Sequence, residues 1–92
     1  KRIILKYYIQ PQEVEAFGNE IYFLARKNRI PWPKMLDIYV QKNIKEKLLN
    51  SNKLKLSLGA VEWITNRVKP IWYKWILENI PNAEKYVKET LV

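Results

Sequence analysis

The chain has 92 residues, of which 48% are hydrophobic, and its 17 Lys and Arg outnumber 9 Asp and Glu to give a formal net charge of +8. That length allows one small domain with a single modest core, and so hydrophobic a composition rules out a disordered basic tail. Cysteine and histidine are both absent. Their absence excludes a disulfide framework, a thiolate or imidazole metal site and a histidine general base. There is no glycine-rich phosphate loop. Asp37 is the lone aspartate, and Glu13 and Glu15, two apart, do not face each other on a helix. We therefore expect no enzyme, no cofactor and no metal. No run approaches the length needed to cross a membrane. The chain starts at Lys1, which reads as a trimmed or processed N-terminus with an arm upstream.

The opening run KRIILKYYI is too short for periodicity to decide between strand and helix. Pro11 then suits a first helical turn, and Glu13 and Glu15 complement its dipole. Val14, Phe17, Ile21, Leu24 and Ala25 fall on one face of that first predicted helix. Gly18 lies beside this stripe and marks a close approach by another helix. Arg26, Lys27 and Arg29 close the helix, and Pro31 and Pro33 forbid its continuation. Trp32, held between the prolines, plugs the end of the bundle or a neighbouring subunit.

A second helix is predicted from Pro33 to Leu49. Its apolar residues form no single stripe: Met35 and Tyr39 point one way, Leu36, Val40 and Ile44 another, and Ile38 and Leu49 elsewhere. A surface this wide predicts contacts on more than one side, with Lys34, Gln41 and Lys45 on the remaining polar strip. Asn50-Ser51-Asn52 is a turn, and Ser57 is a good N-cap for a third helix. Leu58, Val61, Ile64, Val68, Trp72, Trp75 and Ile76 make its inner stripe. Pro70 lies inside it and predicts a kink or break near 67–69. Trp63, Tyr73 and Leu77 fall outside the stripe and, on a lone monomer, point to subunit contacts. Pro81 opens a last short helix, AEKYVKETLV. The expected fold is all-α: an antiparallel four-helix bundle over 11–92, preceded by a short N-terminal segment, 1–10, with a Pro-kinked third helix. A helix-turn-helix reader is disfavoured, because the second helix is too apolar to present polar side chains to a groove.

Charge is distributed unevenly along this plan. Residues 26–55 hold nine Lys or Arg against Asp37 and Glu46, which accounts for +7 of the total. Such a concentration is the electrostatic footprint expected for a polyanion; the alternative is a solvated lysine face.

From about Asn28 onward the chain resembles the helical domain of the major coat proteins of filamentous and rod-shaped archaeal viruses. The resemblance rests on Arg29-Ile30 followed by prolines, Ile38-Tyr39 with Lys45 beyond, Leu58-Gly59-Ala60, Thr65-Asn66 with Val68, and Pro81-Asn82 before a final apolar helix. The chain is richer in Lys and Trp than that family, carries extra residues before Leu58 and has Pro70 in its third helix, features that point to the enveloped, filamentous branch. The resemblance implies a four-helix bundle that packages linear double-stranded DNA in a helical nucleocapsid within the virion, after assembly in the host cytoplasm. It further implies an N-terminal arm that helps wrap the duplex, and self-assembly or pairing with a related coat protein. Membrane contact would be indirect. Packaging a genome requires phosphate neutralisation without base reading. The candidate phosphate contacts are Lys1, Arg2, Lys6, Arg26, Lys27, Arg29, Lys34, Lys42 and Lys45, and the candidate subunit contacts are Trp32, Trp63, Tyr73 and Leu77. The competing reading is a small basic accessory subunit of a replication or transcription complex, acting through a protein partner.

Overall fold

The periodic segments fold as helices, and the short opening run joins them. The computed structural model describes residues 2–85, and among these there are helices and turns but no strand. Helix α1 spans Arg2–Tyr8, α2 Pro11–Lys27, α3 Trp32–Val40, α4 Glu46–Leu49 and α5 Leu58–Asn79. A π-helical stretch, Gln41–Lys45, joins α3 to α4 without interruption. The helix expected from Pro81 begins as a turn followed by helical residues at 83–85; its remainder, 86–92, lies outside the described residues.

Three rods carry the core. α5 supplies the spine: Val61, Ile64, Val68, Trp72 and Ile76 are all fully buried along one face. At about 1.5 Å per residue its 22 residues account for most of the 40 Å long axis. The α3–α4 rod runs antiparallel to α5, with Trp32 against Tyr73, Asp37 paired to Lys69 and Lys45 paired to Glu62. α2 in turn runs antiparallel to α3, since its Glu20 and Phe17 meet Tyr39 beyond the 28–31 turn. α1 lies on α5 and brings Tyr8 to Trp72.

The split apolar surface of the second predicted helix has a geometric explanation. Side chains spaced by four drift steadily round a helix of 3.6 residues per turn. The wider π turn sets that drift back. Leu36, Val40, Ile44 and Leu48 are therefore all buried, together with Met35 and Tyr39.

Other local expectations resolve individually. The Ser57 hydroxyl accepts a hydrogen bond from the Ala60 N–H at 3.1 Å, capping α5 as its sequence predicts. Leu58, expected inside, is exposed because it occupies the first turn, before the helix reaches the core. α5 continues through Pro70 unbroken. The ring is exposed, so the Asn66 carbonyl that loses its partner N–H sits on the solvent side of the helix.

At Gly18, α2 packs directly against the Trp75 side chain of α5. A Cβ there would overlap the Trp75 indole, whereas one at Gly59 would meet nothing within 4 Å. Gly18→Ala should therefore cost roughly 1–3 kcal/mol in urea melts through overpacking. Gly59→Ala should gain up to about 1 kcal/mol from helix propensity. An unchanged midpoint for Gly18→Ala would refute this packing.

The Tyr39 hydroxyl donates to the Glu20 carboxylate at 2.7 Å. Burial first, and then this carboxylate, hold the phenol well above its ordinary pKa of 10.0; burial and then Tyr7 raise Tyr8 in the same sense. Folded-state values above the unfolded ones confer stability that is complete below pH 10 and is lost as pH rises beyond it. Thermal midpoints should fall above about pH 10, and the fall should be shallower in Tyr39→Phe. An identical pH profile in that variant would assign the loss to other groups.

Candidate nucleic-acid interface

The basic segment lies on the surface along the length of one rod. Arg26 and Lys27 end α2, Arg29 stands in the turn, Lys34 in the first turn of α3, Lys42 in the π stretch and Lys47 in α4, all exposed. Lys53 and Lys55 follow in the exposed link to α5. The array thus runs from the end of the molecule where α2 turns into α3 to the opposite end, where α5 begins. Arg2 and Lys6 are exposed on α1, while Lys1 lies outside the described residues.

Lys45 departs from this pattern. It is half-buried and its Nζ lies 3.8 Å from Glu62 on α5, so its charge is already matched within the chain. Conversely Asp37, one of two acids in the segment, is paired with Lys69 from α5. Partly exposed pairs of this kind add little stability. Their effect here is to remove one cation and one anion from the array, leaving its sign unchanged.

The candidate subunit contacts are placed differently from one another. Trp32 is almost fully buried, packs on the Tyr73 ring at 4.9 Å and donates its indole N–H to the Ala83 carbonyl at 2.9 Å. It plugs the end of this chain's own core and offers no surface to a neighbour. Trp63, Tyr73 and Leu77 are half-buried against the core. Trp63 carries the Arg67 guanidinium 3.8 Å above its ring, and Arg67 also donates to the Trp63 carbonyl. The largest exposed apolar side chains lie elsewhere. Ile3 is 86% exposed and, with Tyr7, Leu48 and Leu54, lines a groove of about 350 Å³ between α1 and the end of α4.

A second concavity, of about 370 Å³, lies among the basic residues at the end of α2. Arg26 and Arg29 line it together with Tyr22, Ala25, Ile30 and Trp32. Its rim is built by the way α2 stops. The Ile30 N–H donates to the Ala25 carbonyl at 2.9 Å and the Arg29 N–H to the Arg26 carbonyl at 3.3 Å. That is a Schellman termination, which requires a left-handed residue after the C-cap, usually glycine. Here the residue is Arg29, with φ 54°. Because no glycine marks the position, nothing in the local sequence signals the motif.

Cations at a helix C-terminus favour its dipole, which accounts for charge in the last turn of α2. Compared with protein-family models, with curated proteins and with solved structures, the chain matches none. Among the described residues no group of carboxylates could hold a metal ion and no helix is long and apolar enough to cross a membrane.

Arg29→Gly would relieve the left-handed backbone at the loss of one dipole-favouring charge. It should raise stability by a few tenths to about 1 kcal/mol, read as a higher urea midpoint. A lower midpoint would mean that the Arg29 side chain, rather than its backbone, holds the turn.

Proposed function

We propose that the chain is the helical domain of a coat protein that packages linear double-stranded DNA by neutralising its phosphates without reading its bases. One observation carries the reading: a segment of charge +7 runs exposed from one end of the molecule to the other, and Lys45 is its one cation with an ion-pair partner among the described residues. An extended array suits a polyanionic lattice better than a single patch does, because each cation releases a condensed counterion as it meets a phosphate. The sequence resemblance to archaeal filamentous coat proteins points the same way. In this reading the fold is an antiparallel four-helix bundle, Pro70 bends the long helix, and chains polymerise on the duplex as a virion nucleocapsid, alone or with a related coat protein. Phosphate contacts come from Arg26, Lys27, Arg29, Lys34 and Lys42, with Arg2 and Lys6 joining from α1 and Lys1 from the segment ahead of it. Lys45 takes part only by leaving Glu62.

A second reading, an accessory subunit that binds a protein partner, is favoured by the apolar groove between α1 and α4. That groove serves equally as a contact between coat subunits.

Binding to random-sequence duplexes over a salt series, with electron microscopy of the same mixtures, tests the proposal. Affinity should be indifferent to sequence and fall steeply with log salt, and filaments should form. Lys34→Gln combined with Lys42→Gln should reduce the salt slope by about 1.8, at roughly 0.9 per phosphate contact. No binding at moderate salt would reduce the array to a solvated face.

A further inference from the structure

We propose that the cleft at the end of α2 is a binding site for a small phosphate monoester with a planar body, the chemistry of a nucleoside monophosphate. Its volume, about 370 Å³, lies within the usual range for small-ligand pockets. Its lining has two chemical parts. Arg26 and Arg29 supply exposed guanidinium groups; among the described residues neither is in an ion pair and no carboxylate lines the cleft. Guanidinium forks match phosphate oxygens in pairs and bind them more tightly than isolated lysines do. The half-buried Tyr22, Ile30 and Pro31 give the rest of the cleft an aromatic and apolar lining. Trp32, which also lines the cleft, is almost fully buried and gives its N–H to the Ala83 carbonyl, so it reports on the cleft without offering a ligand surface of its own.

Arg29 adds an independent argument. A Schellman turn is most easily made with glycine, yet the position carries an arginine in the left-handed region. Helix-dipole compensation does not require this, since Arg26 and Lys27 already stand in the last turn. Strained backbone held at a site recurs where a side chain must be aimed, and here the aimed side chain borders the cleft. Neutralising a duplex backbone needs exposed charge but no enclosed pocket, so this site goes beyond the packaging reading. Its ligand could be a free nucleotide or the 5′-terminal nucleotide of a DNA strand, which share the same monoester.

Titration of the full chain with AMP, adenosine and inorganic phosphate, followed by NMR of the indole N–H signals, tests the site. AMP should shift the Trp32 signal saturably. Adenosine and phosphate should each bind roughly tenfold more weakly or worse, because each lacks half of the recognised chemistry. Arg26→Gln and Arg29→Gly should each weaken AMP about tenfold, the loss expected for one charge-assisted hydrogen-bonding group. Arg29→Gly relaxes the backbone, so its effect cannot come from unfolding. Lys74→Gln, which removes an equal charge from an exposed pair with Glu78, should change nothing. A linear AMP response up to roughly 10 mM, binding of phosphate as tight as that of AMP, or an equal loss in Lys74→Gln would each overturn the proposal. Short duplexes with and without a 5′-phosphate separate the two sources: tighter binding of the phosphorylated end assigns the site to DNA termini, and equal binding assigns it to free nucleotides. Failure of duplex binding with AMP binding intact would remove the packaging reading and leave the cleft standing.

Discussion

The architecture depends on where the Trp72 indole can put its N–H. The ring is fully buried, stacked on Phe17 of α2 with centroids 4.6 Å apart and set edge-on to Tyr39 of α3 and Tyr8 of α1. A buried N–H without an acceptor costs on the order of 1–3 kcal/mol. Carbonyls within helices are already engaged, so the acceptor must come from a helix end. Tyr8 is the last residue of α1, and its carbonyl receives the Trp72 N–H at 2.9 Å. One side chain thus positions α1, α2 and α3 around α5. Trp32 repeats the solution at the other end of the core by donating to Ala83, beyond the end of α5. The two indoles secure the segments before and after the three rods, which short helices could not do by propensity alone.

A core closed by aromatic rings has no place for charge, since a buried ion without a partner is too costly. Every ionisable Lys, Arg, Asp and Glu among the described residues is exposed or half-buried. The net charge therefore faces outward, and its arrangement is set by which rod each cation happens to lie on. Asp37–Lys69 and Lys45–Glu62 tie the α3–α4 rod to α5 at two levels. Each pair joins a residue of the basic segment to one outside it, so the segment loses one charge of each sign.

Much of this was legible in the sequence because it depends on local period and local chemistry. The stripes of α2 and α5, the Ser57 cap and the close approach at Gly18 each need only residue spacing or a missing side chain. α1 was not legible, because seven residues hold too few turns for a period and its helix is fixed by the distant Trp72. The π turn has no composition of its own; it appears because Ile44 and Leu48 must stay on the face begun by Leu36 and Val40. Lys45 illustrates the same limit for the candidate interface. Its strip on the helix was readable, but Glu62 lies seventeen positions away and comes alongside only when the rods pack.

Four described residues break local rules: Pro70 inside a helix, and Arg29, Lys55 and Asn82 at positive φ. The difference between Pro70 and Arg29 separates tolerance from use. Pro70 sits inside a helix, where it removes a hydrogen bond, but its ring faces solvent and the freed carbonyl lies on the hydrated side of α5. The fold gains nothing visible from it and needs nothing to compensate. Arg29 sits where glycine would be easier, and its side chain borders a cleft with a second arginine and an aromatic and apolar lining. Departures from local preference that bring chemical groups together are where function is expected to override folding economy. By that criterion the end of α2 is more than one stop along a basic rod. The lysines of α3 and α4 could exchange places with little effect on a polyanion, whereas the position of Arg29 is defined by a backbone turn that only a few residue types adopt readily.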